Sequence, residues 1–579
     1  MKNIKHITFL LLAVFAVSCS DDLLDKLPED EISPEQYWKT PNDLALFLNQ
    51  FYTTFPVHSG WNGGIFEFDN NSDNLAQVGI NTRFVGSNNT APTSDDTWNT
   101  NYGRIRSVNY YLESSETAEG PEDVIEAYDG EAYFFRAMFY FELLQKFGGV
   151  PYIDKVLNTD SPELKSPRIP RNELAAKIME DLDNAIAKLK PKSATEPFRV
   201  HRGIALALKS NVALYEGTWE KYHEGTAFAA PANDSAKFLE MASEAAETLI
   251  DEGNYSLYNS GEVDTYWSLF NKLDYSGVSE VMFWKKYDTS EGVDHRVGHY
   301  IPQNGAGTGV TKSLVDSYLS IDGQPIAVSP LYSPSQESSL TSIVEDRDPR
   351  LAQTIATPGD LITERAGNPD IFFEYPTFRD NNEVVSTTGY QIYKGGSTDE
   401  GQRTESTIGA IIYRYAEVLL NFAEAKAELG TLTQGDLDKS INLLRARVGM
   451  PPLTLTPVAD PNKAFPALSD LINEIRRERR VELALEGKRF NDLMRWKADH
   501  LIIGKRLQGF KIIGSDMEDE FADLIGSSIL VNEEGYIDPY INAIPNGFGF
   551  NPNRDYLSAI PTEQIVLTDG AVIQNPGWE

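Results

Sequence analysis

The chain has 579 residues, 41% hydrophobic and 24% charged, a composition typical of a globular protein with room for a large core. With 51 basic and 86 acidic residues its formal charge is −35, so nucleic acid, whose phosphates need a clustered positive surface, is a poor partner. The same negative field disfavours acidic polysaccharides unless a local basic patch intervenes, whereas neutral ligands are indifferent to it.

The first 18 residues have the pattern of an export signal. A basic start precedes an apolar run at residues 7–17, which is too short to span a bilayer but typical of a signal-peptide core. The single cysteine, Cys19, follows Ala-Val-Ser as in a lipobox. We therefore predict a lipoprotein signal peptide at 1–18 and lipidation of Cys19, which would anchor the protein to a membrane. The alternative is a conventional cleavage site nearby, with Cys19 incidental.

The remainder is predicted to form a tether and one domain. Residues 19–35 combine the lipidated cysteine with an acidic stretch that lacks a core pattern. The domain, 36–579, has an N-terminal helical part at about 36–252, a middle rich in loops and strands at about 253–409, and a C-terminal helical part at about 410–579.

Amphipathic periodicity predicts the helices of this domain. The first begins near Pro41, and residues 128–147, apolar nearly all round, are predicted to form a buried central helix that ends at Gly148. Further helical stripes follow at 174–189, 204–215, 236–250, 411–429 and 437–448, and 278–287 is the best strand candidate. Pairs of amphipathic helices split by loops indicate helical-hairpin packing, although no 34-residue self-similarity is present.

Residues 55–97 interrupt this pattern with Gly, Asn, Asp and Thr, and a loop region of this length is usually functional or disordered. Trp61 lies in its G-W-N-G-G segment, where no periodic pattern would bury it. We predict an exposed ring for ligand stacking, with a satellite core under the loop as the alternative. Residues 69–74 resemble the start of a calcium loop but lack its glycine and its bidentate glutamate, so we predict no metal there.

Residues 471–496 combine a row of glutamates with arginines. On one helix the glutamates would stack in a row beside the arginines: Glu474, Glu478, Glu482 and Glu486 with Arg476, Arg477, Arg479 and Arg480. We predict that Gly487 caps this helix and that a short second helix starts near Arg489 and carries Trp496. Because arginines stabilise ionised carboxylates and lower their pKa, this pattern favours a structural ion-pair network over a catalytic carboxylate pair.

Several further motifs occur in a fixed order along the chain. They are F-G-G-V-P at 147–151, D-R-D-P-R-L at 346–351, Y-R-Y-A-E-V-L-L at 413–420, E-L-x-x-E-G-x-R-x-x-D-L-x-R-W at 482–496, I-P-T-E at 560–563 and Q-N-P-G-W at 574–578. Together with the lipobox they resemble the patterns of the SusD/RagB family, and the resemblance covers essentially the whole chain. It implies a mainly α fold, a tetratricopeptide-like scaffold of helical hairpins with long irregular loops and a few short strands.

Members of that family are surface lipoproteins that bind nutrients for an outer-membrane transporter. The resemblance therefore implies a protein at the cell surface that captures an oligosaccharide and delivers it to a SusC-like TonB-dependent transporter. In the family, ligands bind on irregular loops, which correspond here to 61–85 and 284–312. The implied ligand-binding residues are Trp61, Asp69, Asp73, Asn81 and Arg83 from the first segment and Tyr287, His299 and Tyr300 from the second.

Enzyme motifs fail on spacing. H-E-x-x-H, G-x-S-x-G and a Cys/His pair are absent, and the glycine-rich segment 305–313 lacks the glycine that precedes the lysine of a phosphate loop. His295 and His299 have helical spacing, but Gly298 argues against a helix and no third ligand lies nearby. We predict no catalytic residue, metal or cofactor. RagB-like peptide binding and a surface glycoside hydrolase remain alternatives, because a sequence cannot place two carboxylates at the required separation.

Overall fold

The computed structural model describes residues 37–87, 90–379 and 384–579. The predicted signal peptide, Cys19 and the acidic tether lie outside the described residues, so lipidation and the domain boundaries stay predictions. Among the described residues, no helix combines the length and the apolar character needed to cross a bilayer.

Helices dominate both ends of the described chain, and short strands lie in the middle. The N-terminal helices are α1 (Pro41–Leu48), α2 (Thr82–Val85), α3 (Asp96–Ser114), α4 (Glu122–Phe147), α5 (Arg171–Lys188), α6 (Arg202–Tyr222) and α7 (Ser235–Glu252). The middle contains β1 (Val281–Lys285), α8 (Val297–Asn304), α9 (Lys312–Val315), α10 (Leu340–Ile343), β2 (Leu361–Thr363) and β3 (Ile371–Phe372). The C-terminal part contains β4 (Ala410–Arg414), α11 (Tyr415–Leu429), α12 (Gln434–Asp438), α13 (Ile441–Arg447), α14 (Asp470–Glu482), α15 (Arg489–Arg495) and α16 (Thr562–Leu567).

The long helices pack as a series of neighbouring hairpins. From α3 to α7 each helix packs against the next one along the chain, α11 packs on α7, and α14 packs on α11. The centre of this series is α4, whose aromatic side chains are buried: Phe134, Phe135, Phe139, Tyr140 and Phe141. Its end is set by Gly148, which adopts a φ of 74° that other residues rarely reach. The predicted mainly α fold with helical hairpins is confirmed.

The strands join the middle to the C-terminal helices. β1 lies within the predicted 278–287 segment and pairs antiparallel with β4, which runs directly into α11. β2 and β3 form a second antiparallel pair. Gly298 lies inside α8, so the expectation that it excludes a helix at this point is wrong.

The C-terminal ion-pair stretch differs from its prediction. α14 ends at Glu482 with Leu483 as its C-terminal cap, so Glu486 lies beyond the helix and the predicted cap at Gly487 is wrong. Most partners of the glutamates also come from other segments: Glu478 pairs with Arg350 and Arg445, Glu482 with Arg350, Arg414 and Arg447, and Glu486 with Lys394 and Arg414. Burial alone would raise the pKa of Glu482, but its arginines together lower it far below the usual range. The network is therefore structural.

Candidate functional site

Two loop segments predicted to form one binding face lie side by side. Residues 74–78 and 307–311 exchange backbone hydrogen bonds, with Ala76 N to Gly309 O at 2.9 Å, Gly309 N to Ala76 O at 3.1 Å and Val78 N to Gly307 O at 2.9 Å. A glycine is needed at 309, because a Cβ there would lie 2.2 Å from Oγ1 of Thr388. These hydrogen bonds hold the first predicted ligand-binding segment, 61–85, against the second, 284–312. We call the first segment the first loop block.

A second link places Trp61 beside Arg296. Gly60 has a φ of 50°, and its carbonyl accepts a hydrogen bond from the backbone N–H of Arg296 at 3.0 Å. The guanidinium carbon of Arg296 lies 5.4 Å from the centroid of the Trp61 ring, within range of a cation–π contact. The indole is nevertheless 61% exposed. The sequence correctly placed an exposed ring at this position.

Two adjoining cavities lie in the same loop region, where Asn62, the residue after Trp61, lines both, and we call them the loop cavities. The first, of about 310 Å³, is lined by Asn62, Glu67, Asn70, Gln77, Val78, Gly79, Tyr300, Ala306 and Gly307. The second, of about 540 Å³, is lined by Val57, Ser59, Asn62, Gly64, Glu67, Phe68, Asn70, Asn71, Gln77 and Gly487. Because Asn62, Glu67, Asn70 and Gln77 line both, the loop cavities form one continuous polar region.

The side chains of this region offer mainly neutral hydrogen-bonding groups. Oδ1 of Asn62 accepts from the backbone N–H of Gly64 at 2.8 Å, and Oδ1 of Asn70 accepts from the Thr308 hydroxyl at 2.6 Å. Their oxygens are thus held by the protein, which leaves the amide NH₂ groups as donors for a ligand. Burial raises the pKa of Glu67, so this carboxyl group is protonated more readily than an exposed one.

One wall of the second cavity comes from the C-terminal signature. Phe68 is 43% exposed and lies against Gly487, where a Cβ would come within 2.8 Å of the Phe68 Cβ. Gly487 also has a φ of 72°. Both observations explain a glycine here, and they tie the E-G-x-R motif to the cavity wall.

Two of the predicted ligand-binding residues, Asp69 and Asp73, form hydrogen bonds or ion pairs with other residues of the protein. Asp69 is buried and its Oδ2 accepts from Nδ2 of Asn74 and from the backbone N–H of Leu485, each at 2.9 Å. Asp73 is held by Arg489 and by Arg480, which lies 3.2 Å from Oδ2. These carboxylates hold the first loop block against the segment around α14 and α15, so they are not proposed as ligand contacts.

Of the other predicted ligand-binding residues, some also form hydrogen bonds within the protein and one lines a loop cavity. Tyr287 is buried, and its hydroxyl donates to the carbonyl of His58 at 2.8 Å. Asn81 caps α2, and Arg83 donates to the carbonyls of residues 555 and 556 at 2.7 and 2.6 Å. His299 belongs to α8, but its side chain lies outside the described part of the structure. Of the eight, Tyr300 lines a loop cavity, and Trp61 directly precedes Asn62, which lines both.

Sequence reasoning missed the amide and carboxyl groups that line the cavities. Asn62 and Asn70 are direct neighbours of Trp61 and Asp69 in the loop block, so the cavities lie within the predicted segment although most of their lining residues are not among the predicted ones. Glu67 and Gln77 carry no distinguishing signal, because polar residues are common throughout this loop. Arg296 could not be linked to Trp61 without the backbone pairing at Gly60.

Comparison with known proteins accounts for nearly the whole chain. A model described as the SusD family matches residues 212–578, and a second, described as starch-binding and associating with the outer membrane, matches residues 22–214. The SusD-like protein P2 of Formosa agariphila is 24% identical, with both chains covered in full.

Solved structures show the same fold. A SusD-like carbohydrate-binding protein of Bacteroides fragilis has a TM-score of 0.70 at 23% identity, covering 92% of this chain and 99% of its own. A second SusD-like protein of the same species has a TM-score of 0.69 at 26% identity, covering 95% of this chain and 99% of its own. The chain therefore belongs to the SusD family.

Proposed function

We propose that this protein binds an oligosaccharide in the loop cavities at the cell surface and delivers it to a SusC-like TonB-dependent transporter of the outer membrane. Lipidation of Cys19 would supply the anchor. The description of the N-terminal family model, starch-binding and associating with the outer membrane, supports both the ligand class and the location.

The exposed Trp61 ring, one residue before Asn62 in the lining of the loop cavities, is the observation that carries this proposal. A sugar presents a face of C–H groups and a rim of hydroxyls, so a flat aromatic ring and neighbouring amide groups fit its two kinds of surface. Trp61 supplies the ring, Asn62, Asn70 and Gln77 supply amides, and Tyr300 adds a second aromatic side chain. The ligand is expected to be neutral, because the lining offers mainly uncharged groups and the protein as a whole is strongly negative.

The same lining favours binding over hydrolysis. Most glycoside hydrolases use two carboxyl groups on opposite sides of the scissile bond. In the described part of the chain, Glu67 is the single acidic residue that lines the loop cavities. A surface glycoside hydrolase therefore stays the less supported alternative.

Calorimetry with a panel of neutral oligosaccharides and of short peptides tests the proposal. At least one oligosaccharide should bind, and Trp61→Ala should weaken its affinity about tenfold or more, corresponding to about 1.4 kcal/mol, while the thermal melt stays nearly unchanged. Phe372→Ala is the matched control, because Phe372 is 52% exposed and lines neither loop cavity. The affinity of Phe372→Ala for the oligosaccharide should equal that of the unaltered protein.

The other outcomes identify the alternatives. Binding of peptides but of no oligosaccharide would establish the RagB-like function. Sustained release of sugar product that stops in Glu67→Gln would establish a hydrolase. For the anchor, Cys19→Ala should release the protein from membranes, and unchanged membrane association would refute lipidation at that residue.

A further inference from the structure

Trp61 lies on a backbone that would not by itself fix the direction of its ring. Glycines occupy positions 60, 63 and 64, and glycine has the greatest backbone freedom of all residues. A Cβ at Gly60 would meet no atom within 4 Å, so the loop is open at this point. An exposed ring on such a segment samples several rotamers unless a neighbouring side chain holds it.

Arg296, whose guanidinium group lies over this ring, has a fixed backbone position. The preceding residue, His295, is fully buried and exchanges backbone hydrogen bonds with Ser406 at 3.1 and 2.9 Å. Nε2 of His295 also lies 2.9 Å from the carbonyl oxygen of Ile408. The backbone N–H of Arg296 itself donates to the Gly60 carbonyl at 3.0 Å. The side chain of Arg296 therefore starts from a rigid support.

Two acceptors orient the guanidinium group of Arg296. Its Nη1 donates to Oδ1 of Asp294 and to the carbonyl oxygen of His295, the latter at 3.0 Å. The side chains of Arg296 and Asp294 are both partly buried, so water and salt screen their ion pair less than an exposed one. The cation is thus held in place by groups other than Trp61.

The contact between this fixed cation and the indole restricts the ring. The guanidinium carbon lies 5.4 Å from the Trp61 centroid, a distance at which the ring quadrupole attracts a cation, and tryptophan provides the strongest attraction of this kind. Because the cation occupies one face of the ring, a ligand can stack on the opposite face alone. A ring that is already ordered need not lose its freedom when the ligand binds, and this favours affinity.

We propose that Arg296 is a positioning residue for ligand binding, which holds the Trp61 ring in the orientation on which a sugar stacks and leaves one face of the ring open. The inference rests on the proposed function, because it assigns a role at the same site. Arg296 acts through Trp61 and not by touching the ligand. Its loss should weaken binding about three- to tenfold, the effect of one side chain that binding must then immobilise.

The position of the ring can be measured without a ligand. When the eight tryptophans are replaced by 5-fluorotryptophan, the fluorine resonance of Trp61 is identified by its absence in Trp61→Phe. In Arg296→Gln this resonance should narrow and move towards its shift in the urea-unfolded protein, while the other tryptophan resonances stay in place. Arg296→Lys keeps a cation and should return the resonance most of the way. An unchanged Trp61 resonance in Arg296→Gln would refute the proposal.

Arg379→Gln is the matched control. Arg379 also pairs with an aspartate, Asp523, and its guanidinium carbon lies 5.5 Å from the centroid of the Phe521 ring. It lines neither loop cavity. Its substitution removes the same kind of contact elsewhere in the protein, so both the Trp61 resonance and the affinity for the ligand should stay unchanged.

A double-mutant cycle separates positioning from direct contact. Calorimetry with the oligosaccharide identified for the unaltered protein compares Arg296→Gln, Trp61→Ala and the double variant. If Arg296 acts through Trp61, the double variant should bind as weakly as Trp61→Ala alone, because no ring is left to position. Arg296→Lys should recover most of the affinity that Arg296→Gln loses. Losses of affinity that multiply in the double variant would show that Arg296 contacts the ligand itself, contrary to the proposal.

A second variant covers the case in which Arg296→Gln strongly lowers the melting temperature. Asp294→Ala releases the guanidinium but keeps the backbone hydrogen bond to Gly60, so the Trp61 resonance should shift in the same direction. No shift in that variant would overturn the proposal. If no oligosaccharide binds the unaltered protein, the proposed function fails, whereas the fluorine spectra still decide whether Arg296 holds the ring, so the two failures are distinguishable.

Discussion

Asp73 of the first loop block and Arg489 of α15 form a bidentate ion pair, with Nε to Oδ1 at 2.7 Å and Nη2 to Oδ2 at 2.9 Å. Both side chains are buried, and the two residues are 416 positions apart in the sequence. Arg489 belongs to the same signature motif as Gly487, which forms part of the cavity wall. The C-terminal signature thus positions the early loop that carries the candidate site.

Removal of this carboxylate should destabilise the protein. In Asp73→Ala, Arg489 and Arg480 would lose their buried partner, and breaking a buried ion pair from one side costs about 3–5 kcal/mol. We expect a loss of that order in the free energy of unfolding, measured with urea. Asp123→Ala is the control. Asp123 pairs with Lys190 but is exposed, so its removal should leave the unfolding midpoint nearly unchanged. Equal midpoints for the two variants would show that the pair does not hold the loop.

The scaffold was predictable because its signal is local. A helix such as α4 follows from an apolar run and a terminal glycine, both of which lie within the helix and its next residue. The partners of the glutamates were not predictable, because Arg350, Arg414 and Arg447 reach Glu482 from three other segments. The ion pairs of Glu482 with these arginines explain why the motifs at 346–351, 413–420 and 482–496 occur together.

The loop cavities fall in the predicted segments, but most of their lining residues were not predicted. Trp61 was identified because an aromatic residue among glycines has no helical neighbours to pack on, and it is exposed. Asp69 and Asp73 lie in an equally polar stretch and look similar to surface carboxylates in the sequence. Their burial depends on Leu485, Arg480 and Arg489, which only the folded chain brings near.

Stability in acid should depend on Glu424. Arg495 donates to its two oxygens at 2.5 and 2.8 Å, and the indole N–H of Trp496 donates to Oε1 at 2.7 Å. Burial alone would raise the pKa of Glu424, but Arg495 and the neighbouring Arg479 and Arg476 lower it to about 2. The unfolded chain, with a glutamate pKa of about 4.3, binds more protons than the native state between these values.

The stabilisation from Glu424 is therefore complete above pH ~4.3 and is lost as the pH falls towards 2. We expect Glu424→Gln to be less stable than the unaltered protein at pH 7, with a difference that shrinks between pH 4 and pH 2. Urea unfolding midpoints at several pH values measure this difference. A difference that stays constant over that range would contradict the assigned pKa.

Glu220 should make stability depend on pH in the opposite direction from Glu424. Burial and the nearby Glu216 raise the pKa of Glu220 to about 8, although Arg171 acts against this shift. Its Oε1 is buried without a hydrogen-bond partner, while Oε2 accepts from the backbone N–H of Asp234. Between pH ~4.3, where the group ionises in the unfolded chain, and pH 8, the native state binds the additional proton.

Stability contributed at this position therefore falls as the pH rises from about 4.3 to 8 and is constant above 8. Glu220→Gln keeps an acceptor for the Asp234 N–H and cannot ionise. We expect the urea unfolding midpoint of the variant, minus that of the unaltered protein, to increase from pH 5 to pH 8 and to stay constant above pH 8. The same midpoint difference at pH 5 and pH 8 would contradict this role.

Gly487→Ala should cost more stability than Gly430→Ala, although both glycines have nearly the same backbone conformation, with φ values of 72° and 73°. A left-handed conformation costs an alanine about 1–2 kcal/mol in each variant. At Gly430 a Cβ would meet no atom within 4 Å, whereas at Gly487 it would lie 2.8 Å from the Phe68 Cβ. The additional loss at Gly487 therefore measures the close contact with Phe68.

Because Phe68 and Gly487 line the second loop cavity, Gly487→Ala should also weaken binding of the oligosaccharide, and Gly430→Ala should not. Urea unfolding of both variants gives the stability difference, and calorimetry with the oligosaccharide identified for the unaltered protein gives the affinities. Equal stability losses would show that Phe68 moves aside freely. Normal affinity in a folded Gly487→Ala protein would place the ligand away from this wall.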